Sequence, residues 1–109
     1  MRARAGAITR AGASRALIEA VFAEVAAVAT AEGYPPPDSI KATVFGLYAQ
    51  PESNYGPSIL VDMENGRVTE GEHTVGDMVD RAQRHGIAAP ILTAARCNLQ
   101  IYEAQRPQA

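Results

Sequence analysis

The sequence predicts an all-α domain of about five helices, and three observations lead to this prediction. Apolar side chains recur at three- and four-residue spacing through several long segments. Glycine or proline stands at the ends of those segments, where helices stop or start. No segment alternates apolar and polar residues for long enough to form a convincing strand. The chain has 109 residues, 47% of them hydrophobic, which suffices for one domain with a modest core.

The first predicted helix begins at Ser14, which we expect to cap it, and ends at Gly33. Its alanines raise the helix propensity. Pro35 to Pro37 then form either a ligand for a groove that binds polyproline helices or a stiff connector, and the connector is favoured. The apolar face of this helix consists of Leu17, Ile18, Val21, Phe22, Val25 and Val28.

The second predicted helix is capped by Asp38, and the residues from Gln50 to Asn54 form a loop after it. Pro57 fits the first position of a short third helix. Asn65-Gly66 ends that helix, since the flanking residues do not alternate as the strands of a hairpin would.

Thr69 opens the fourth predicted helix, and Thr69 with Glu72 fits the T-x-x-E capping box. In this motif each side chain accepts a hydrogen bond from the other residue's backbone N–H. Gly86 ends the helix. A fifth helix starts at Pro90 and ends at Pro107.

Composition and charge exclude several classes of protein. The net charge is −2, so there is no electrostatic case for nucleic acid or an anionic membrane. No apolar run approaches the roughly 20 residues of a membrane span. The single Cys97 excludes an internal disulfide and suits a reducing compartment, which predicts a cytoplasmic protein. We expect Cys97 to be a buried or half-buried thiol.

The first 13 residues contain three arginines and no acidic residue, and they lack the apolar core of a secretory signal. A flexible leader is the favoured interpretation and a transit peptide the alternative. We therefore expect a leader over residues 1–13, one helical domain over residues 14–106 and a tail over residues 107–109. The initial methionine and this leader favour a separate short protein over a fragment of a longer one.

The residues alone do not establish a site. Glu70 and His73 share a helix face, but a carboxylate-bridged metal site needs two such motifs and further carboxylates, so we predict no metal. Ser58, Asp62 and His73 could be combined into a triad, but no nucleophile elbow precedes the serine. No glycine-rich loop typical of dinucleotide binding is present.

Three blocks of sequence together resemble the C-terminal helical domain of ketopantoate reductases (2-dehydropantoate 2-reductases). They are EAVFAEVAAVATAEGY, PSILVDMENGRVTEGEHTVGDMVDRAQRHGI and AAPILTAARCNLQIYE. The second block is the most specific, and the match extends over about residues 14 to 105. The resemblance implies a helical fold like that of the 6-phosphogluconate dehydrogenase C-terminal domain.

The resemblance also implies two site residues. Ser58 aligns with the family serine that hydrogen-bonds the substrate, and Glu70 aligns with the family glutamate that contacts the nicotinamide cofactor. For Asp62, Gly66 and Gly76 we expect structural roles: a local acceptor, a helix stop and a close helix contact. The chain departs from the family at Gly71, where isoleucine is usual, and at Pro57-Ser58-Ile59, which replaces Ser-Ser-Met.

In the family, an N-terminal Rossmann domain binds NADPH, and a lysine beyond it protonates the substrate. Lys41, the only lysine here, does not align with that residue. The resemblance therefore implies no catalytic residue in this chain, and NADP(H) only together with a separate Rossmann-domain partner. The isolated chain is expected to be inactive and to bind no cofactor.

Two functional hypotheses follow. In the first, the chain contributes Ser58 and Glu70 to the NADPH-dependent reduction of 2-dehydropantoate to pantoate, in pantothenate biosynthesis. In the second, it is a stand-alone helical module that has lost catalysis. We expect a homodimer, because a domain that normally packs on another exposes an apolar face.

Overall fold

The computed structural model describes residues 3–106, and the regular elements of this range are helices without any strand. The all-α prediction is therefore confirmed. The five predicted helices are all present, the fourth beginning with a π-helical turn, and one further helix precedes them. The elements are α1 (Ala5–Arg10), α2 (Ser14–Ala31), α3 (Asp38–Leu47), α4 (Ser58–Glu64), the π-helical turn (Glu72–Gly76), α5 (Asp77–Arg84) and α6 (Pro90–Gln105).

The chain divides into two compact units, Met1–Gly56 and Pro57–Ala109. We call the described parts of these units the first unit (residues 3–56) and the second unit (residues 57–106). The sequence predicted one domain over residues 14–106, so the division falls at a loop that we had placed inside it. The predicted tail at residues 107–109 lies outside the described residues.

Helix α1 occupies much of the predicted leader. Ala5 and Ile8 are buried, and the N–H of Ala5 donates to the carbonyl of Tyr55 at 2.8 Å. The N–H of Gly6 likewise donates to the carbonyl of Ser53 at 2.8 Å. The prediction of a flexible leader was wrong for residues 5–10, because the carbonyls that hold this helix lie almost 50 residues away in sequence.

Ser14 does not cap α2 as predicted. It is the first residue of the helix and is buried, and its hydroxyl donates to the carbonyls of Ala11, at 2.8 Å, and Ile8. The hydroxyl thus closes the turn between α1 and α2 instead of accepting from the amides of α2. Asp38 also makes no capping bond and lies inside the first turn of α3, after Pro37.

The rest of the first unit packs through α2. Val28 is fully buried and Ile18 nearly so, while the rings of Phe22 and Phe45 lie 5.7 Å apart. Thr9 donates its hydroxyl to the carbonyl of Tyr48 at 2.6 Å. Residues 35–37 are non-helical between α2 and α3, as predicted for a connector.

The second unit packs around α6. Its buried side chains come from α4, α5, α6 and the turn before α6. Cys97 on α6 is exposed, so the prediction of a buried or half-buried thiol was wrong. Within residues 3–106, no helix combines the length and the hydrophobicity needed to span a membrane. The buried apolar residues are Leu60, Val79, Ala82, Ala89 and Leu92.

Candidate functional site

Ser58 is the first residue of α4 and is exposed. Pro57 precedes it as the N-cap, one residue earlier than predicted, with a φ of −67° that suits a helix start. Leu60 is the buried anchor of this short helix. The hydroxyl of Ser58 therefore stands on the accessible side of a helix held by its apolar face.

The turn after α4 is tied to α6. Gly66 has a φ of +67°, a conformation that favours glycine, and ends the helix as predicted. The backbone N–H of Arg67 donates to the carbonyl of Asp62 at 2.8 Å, and its guanidinium meets the Asp62 carboxylate at 3.1 Å. Tyr102 of α6 donates its hydroxyl to the carbonyl of Arg67 at 2.7 Å. Asp62 thus acts as the local acceptor that we predicted.

The predicted capping box does not form, and Glu103 of α6 takes the place of Glu72. The carboxylate of Glu103 accepts from the backbone N–H of Thr69 at 2.8 Å and from its hydroxyl at 3.0 Å. The oxygen of that hydroxyl in turn accepts from the N–H of Gly71 at 3.2 Å. The hydrogen bond from the Thr69 N–H is the main reason why the pKa of Glu103 is lowered.

Glu72 turns toward α6. The guanidinium of Arg96 meets its two carboxylate oxygens at 3.0 and 3.3 Å, and the amide of Gln100 donates to it at 3.1 Å. Arg96 also contacts Asp80 of α5 at 3.0 Å. The hydrogen bond with Arg96 is the largest cause of the lowered pKa of Glu72, and the same bond raises the pKa of Arg96.

Two glycines let the π-helical turn approach α6. A Cβ on Gly71 would lie 3.0 Å from Cδ1 and 3.2 Å from Cβ of Leu99, so a larger residue there would require Leu99 to shift. A Cβ on Gly76 would lie 3.1 Å from a carboxylate oxygen of Glu72 and 3.4 Å from Nε of Arg96. Gly76 is thus the close helix contact that the sequence predicted. π-Helical turns are rare and are often found at functional sites.

Glu70 lies between these anchored residues. Its carbonyl accepts from the N–H groups of His73 and Thr74, at 3.1 and 3.0 Å, and its side chain is exposed. His73 is also exposed. Within residues 3–106, no three His, Cys, Asp or Glu side chains are grouped so that they could hold a metal ion.

A cavity of about 360 Å³ lies between the start of the π-helical turn and α6. Glu70 and Ser58 are not among its lining residues, although both belong to the second unit. The hydrogen bonds in its walls are those that anchor the segment around Glu70. The lining residues are Val68, Thr69, Gly71, Glu72, His73, Leu99, Gln100 and Glu103.

Sequence reasoning missed the α6 residues that anchor this segment. A signal was available, because Arg96, Gln100 and Glu103 are spaced i, i+4 and i+7 and so share one face of the helix. That spacing identifies a polar face of the helix, but it does not identify the residues that this face contacts. Tyr102 of the same helix was missed as well, although its hydroxyl donates to the carbonyl of Arg67 in the turn after α4.

Comparison with known proteins accounts for this architecture. A family model described as the ketopantoate reductase PanE/ApbA C terminal matches residues 1–102. An uncharacterized oxidoreductase, YkpB of Bacillus subtilis (strain 168), is 34% identical over 101 residues, which are 93% of this chain and 33% of YkpB.

Two solved structures share the fold. The PanE/ApbA family ketopantoate reductase from Ralstonia eutropha JMP134 superposes with a TM-score of 0.84 at 25% identity, over 95% of this chain and 35% of that one. The 2-dehydropantoate 2-reductase from Methylococcus capsulatus gives a TM-score of 0.69 at 31% identity, over 83% and 31%. The chain thus spans about a third of the length of these relatives. The 109 residues belong to the family of ketopantoate reductase C-terminal domains.

Proposed function

We propose that this chain is the C-terminal domain of an NADPH-dependent reductase that converts 2-dehydropantoate to pantoate, a step of pantothenate biosynthesis. A nucleotide-binding Rossmann domain, as a separate partner or a further part of the same protein, provides the cofactor site and the catalytic lysine. The observation that carries the proposal is Glu70, an exposed carboxylate on a segment that α6 anchors on both sides.

We place Ser58 and Glu70 on one wall of a cleft for cofactor and substrate, because both are exposed residues of the second unit. The Glu70 carboxylate can accept hydrogen bonds from hydroxyl or amide groups of the nicotinamide half of the cofactor. The Ser58 hydroxyl can donate to the substrate carboxylate. Within residues 3–106 there is no strand, and hence no strand–glycine loop–helix unit for the pyrophosphate. When bound, the cofactor supplies the hydride, while this chain binds and orients.

A fusion protein tests the proposal. The part of the Methylococcus capsulatus reductase that the chain matches would be replaced by the chain itself, and NADPH oxidation with 2-dehydropantoate would be followed. We expect turnover by the fusion and none by the isolated chain. A folded fusion that binds NADPH through its nucleotide domain but never reduces 2-dehydropantoate would contradict the proposal.

Two variants of the fusion separate the roles of the site residues. Ser58→Ala is expected to raise the KM for 2-dehydropantoate, and Glu70→Ala the KM for NADPH, because each removes a contact to a different ligand. Ser39→Ala and Glu52→Ala are matched controls, since both residues are exposed and belong to the first unit. Kinetics unchanged in both site variants would exclude Ser58 and Glu70 from the site.

A homodimeric module without catalysis is the second candidate. The observation that favours it is a set of exposed large apolar side chains: Tyr34 is 80% exposed, Val68 60%, and Ile40 and Ile101 48% each. Burying such side chains against a second copy would stabilise the dimer. Light scattering would show a dimer at micromolar concentration, and a monomer at the highest soluble concentration would contradict this candidate. The proposed location is the cytoplasm, where an exposed thiol such as Cys97 stays reduced.

A further inference from the structure

We infer that Glu103 and Arg96 of α6 are positioning residues for Glu70. They hold the residues on either side of Glu70 and thereby set the direction in which its carboxylate projects. This inference rests on the proposed function, since it assigns a purpose to the anchoring of a residue that contacts the cofactor.

The first anchor lies before Glu70. The Glu103 carboxylate accepts both the N–H and the hydroxyl of Thr69, at 2.8 and 3.0 Å. Because the Thr69 hydroxyl oxygen accepts from Gly71 N–H at 3.2 Å, this one carboxylate orients the backbone on both sides of Glu70. A charged acceptor makes these bonds stronger than a neutral one would.

The second anchor lies after Glu70. Arg96 holds the Glu72 carboxylate with two N–H groups, and Gln100 adds a third hydrogen bond. Asp80 holds the other edge of the Arg96 guanidinium at 3.0 Å. The guanidinium therefore connects the π-helical turn, α5 and α6 at one point. Its orientation is fixed because Glu72 and Asp80 accept from different N–H groups.

The contacts join α6 to Thr69, Gly71 and Glu72 in turn and leave out Glu70. Along α6 the order is Arg96, Leu99 and Glu103, and their partners in the segment run in reverse from Glu72 through Gly71 to Thr69. At Gly71 the backbone lies so close to Leu99 that a Cβ would be 3.0 Å from its Cδ1. Among the described residues, the Glu70 side chain makes no hydrogen bond or ion pair with α6, unlike those of Thr69 and Glu72, and it is exposed.

Amide exchange in the chain as it stands tests the first anchor without any enzyme assay. Glu103→Ala is expected to speed hydrogen exchange at the Thr69 amide about tenfold, because the amide loses its acceptor. Glu103→Gln retains an oxygen and is expected to restore most of the protection. Asn98→Ala is the matched control, since Asn98 is exposed and, within residues 3–106, its side chain bonds only the carbonyl of Ala94 in its own helix. Unchanged exchange at Thr69 in Glu103→Ala would overturn the inference.

A double-mutant cycle in the fusion protein tests whether the anchors act through Glu70. Glu103→Ala and Arg96→Ala are each expected to raise the KM for NADPH several-fold and to leave the KM for 2-dehydropantoate unchanged. In a Glu70→Ala background neither should have any further effect. Effects that simply add would show a structural role and contradict the inference. If Glu70→Ala alone changes nothing, the proposed role of Glu70 fails, while the exchange experiment still decides whether Glu103 holds its segment.

Discussion

The two units of this chain are stabilised by different kinds of contact. In the first unit, the ties of α1 end on backbone carbonyls, which accept from the N–H of Gly6, the hydroxyl of Thr9 and the guanidinium of Arg10. In the second unit, carboxylates and a guanidinium make the ties between α6 and the segment around Glu70. The first kind depends on close backbone approach, and the second on charge. The two units should therefore respond differently to added volume, to pH and to salt.

The largest expected effect is at Gly6 in the first unit. A Cβ there would lie 2.7 Å from the carbonyl oxygen of Pro51 and closer still to that of Ser53, and neither backbone atom can move away cheaply. Gly6→Ala should lower the free energy of unfolding by about 3 kcal/mol, the upper part of the overpacking range. Urea denaturation followed by circular dichroism measures this.

Gly46→Ala is the matched control for Gly6→Ala. No atom lies within 4 Å of the Cβ position at Gly46, and the residue lies in α3, where alanine is the better helix former. The free energy of unfolding of Gly46→Ala should therefore be unchanged or slightly raised. Equal losses in the two variants would show that the close backbone approach at Gly6 is not the cause of the loss.

The next effect concerns the core of the first unit. Val28 is 0% exposed, so Val28→Ala should cost about 2 kcal/mol through lost burial and an incompletely filled cavity. Leu17→Ala in the same helix should cost less, since Leu17 is 36% exposed. Chemical denaturation of the two variants measures the difference. A larger loss for Leu17→Ala would assign the main core of α2 to another face.

Acid should weaken the second unit first. The pKa values of Glu72 and Glu103 are lowered in the folded state by hydrogen bonds from Arg96 and Thr69. Their stabilisation is therefore present above the ordinary value of 4.5 and is lost as the pH falls through their folded values below it. Amide exchange at decreasing pH should show opening at residues 69–76 before residues 5–10. In the double variant Glu72→Gln and Glu103→Gln, residues 69–76 should no longer open before residues 5–10 as the pH falls.

The two units should differ less in their response to salt than in their response to acid. Arg96→Ala removes contacts to two carboxylates and should lower stability, and about 1 M sodium chloride should reduce that loss because it screens the ion pairs. Arg15→Ala is the control in the first unit, where the ion pair with Glu19 is 74% and 54% exposed. The Arg15 guanidinium also lies 5.6 Å from the centroid of the Phe45 ring, so the effect of Arg15→Ala should be small rather than zero, and the part due to the ion pair should be near zero. A salt-independent loss in Arg96→Ala would indicate that packing of its stem dominates.

The smallest expected effect is at alkaline pH. Burial, and then the neighbouring Tyr55, raises the pKa of Tyr48 in the first unit above 10.0. The contribution to stability is complete below that value and is lost as the pH rises through the folded pKa. Tyr48→Phe should remove this part of the alkaline loss and leave the acid response unchanged. Spectrophotometric titration of the tyrosines with denaturation at each pH would show this.

The regular elements of the fold were predictable because their signals are local. The periodic apolar residues predicted all of the helices from α2 to α6, and Gly66 and Pro90 lie at the ends that were predicted for them. Helix α1 was missed because six residues carry too little periodicity, and its stability comes from the carbonyls of Ser53 and Tyr55. The capping box at Thr69 failed because Glu103 competes for the same N–H.

The sequence by itself determined the helical class, most helix ends, the family, and the residues Ser58 and Glu70 as candidates for a site. Each of these depends on residues near one another in the chain or on a motif read in order. Tertiary structure decided what holds those residues, since Thr69 and Glu103 are 34 positions apart. Propensity and local capping chemistry carry no information about such a pair, because a carboxylate bonds whichever donor the packing of α6 brings within reach.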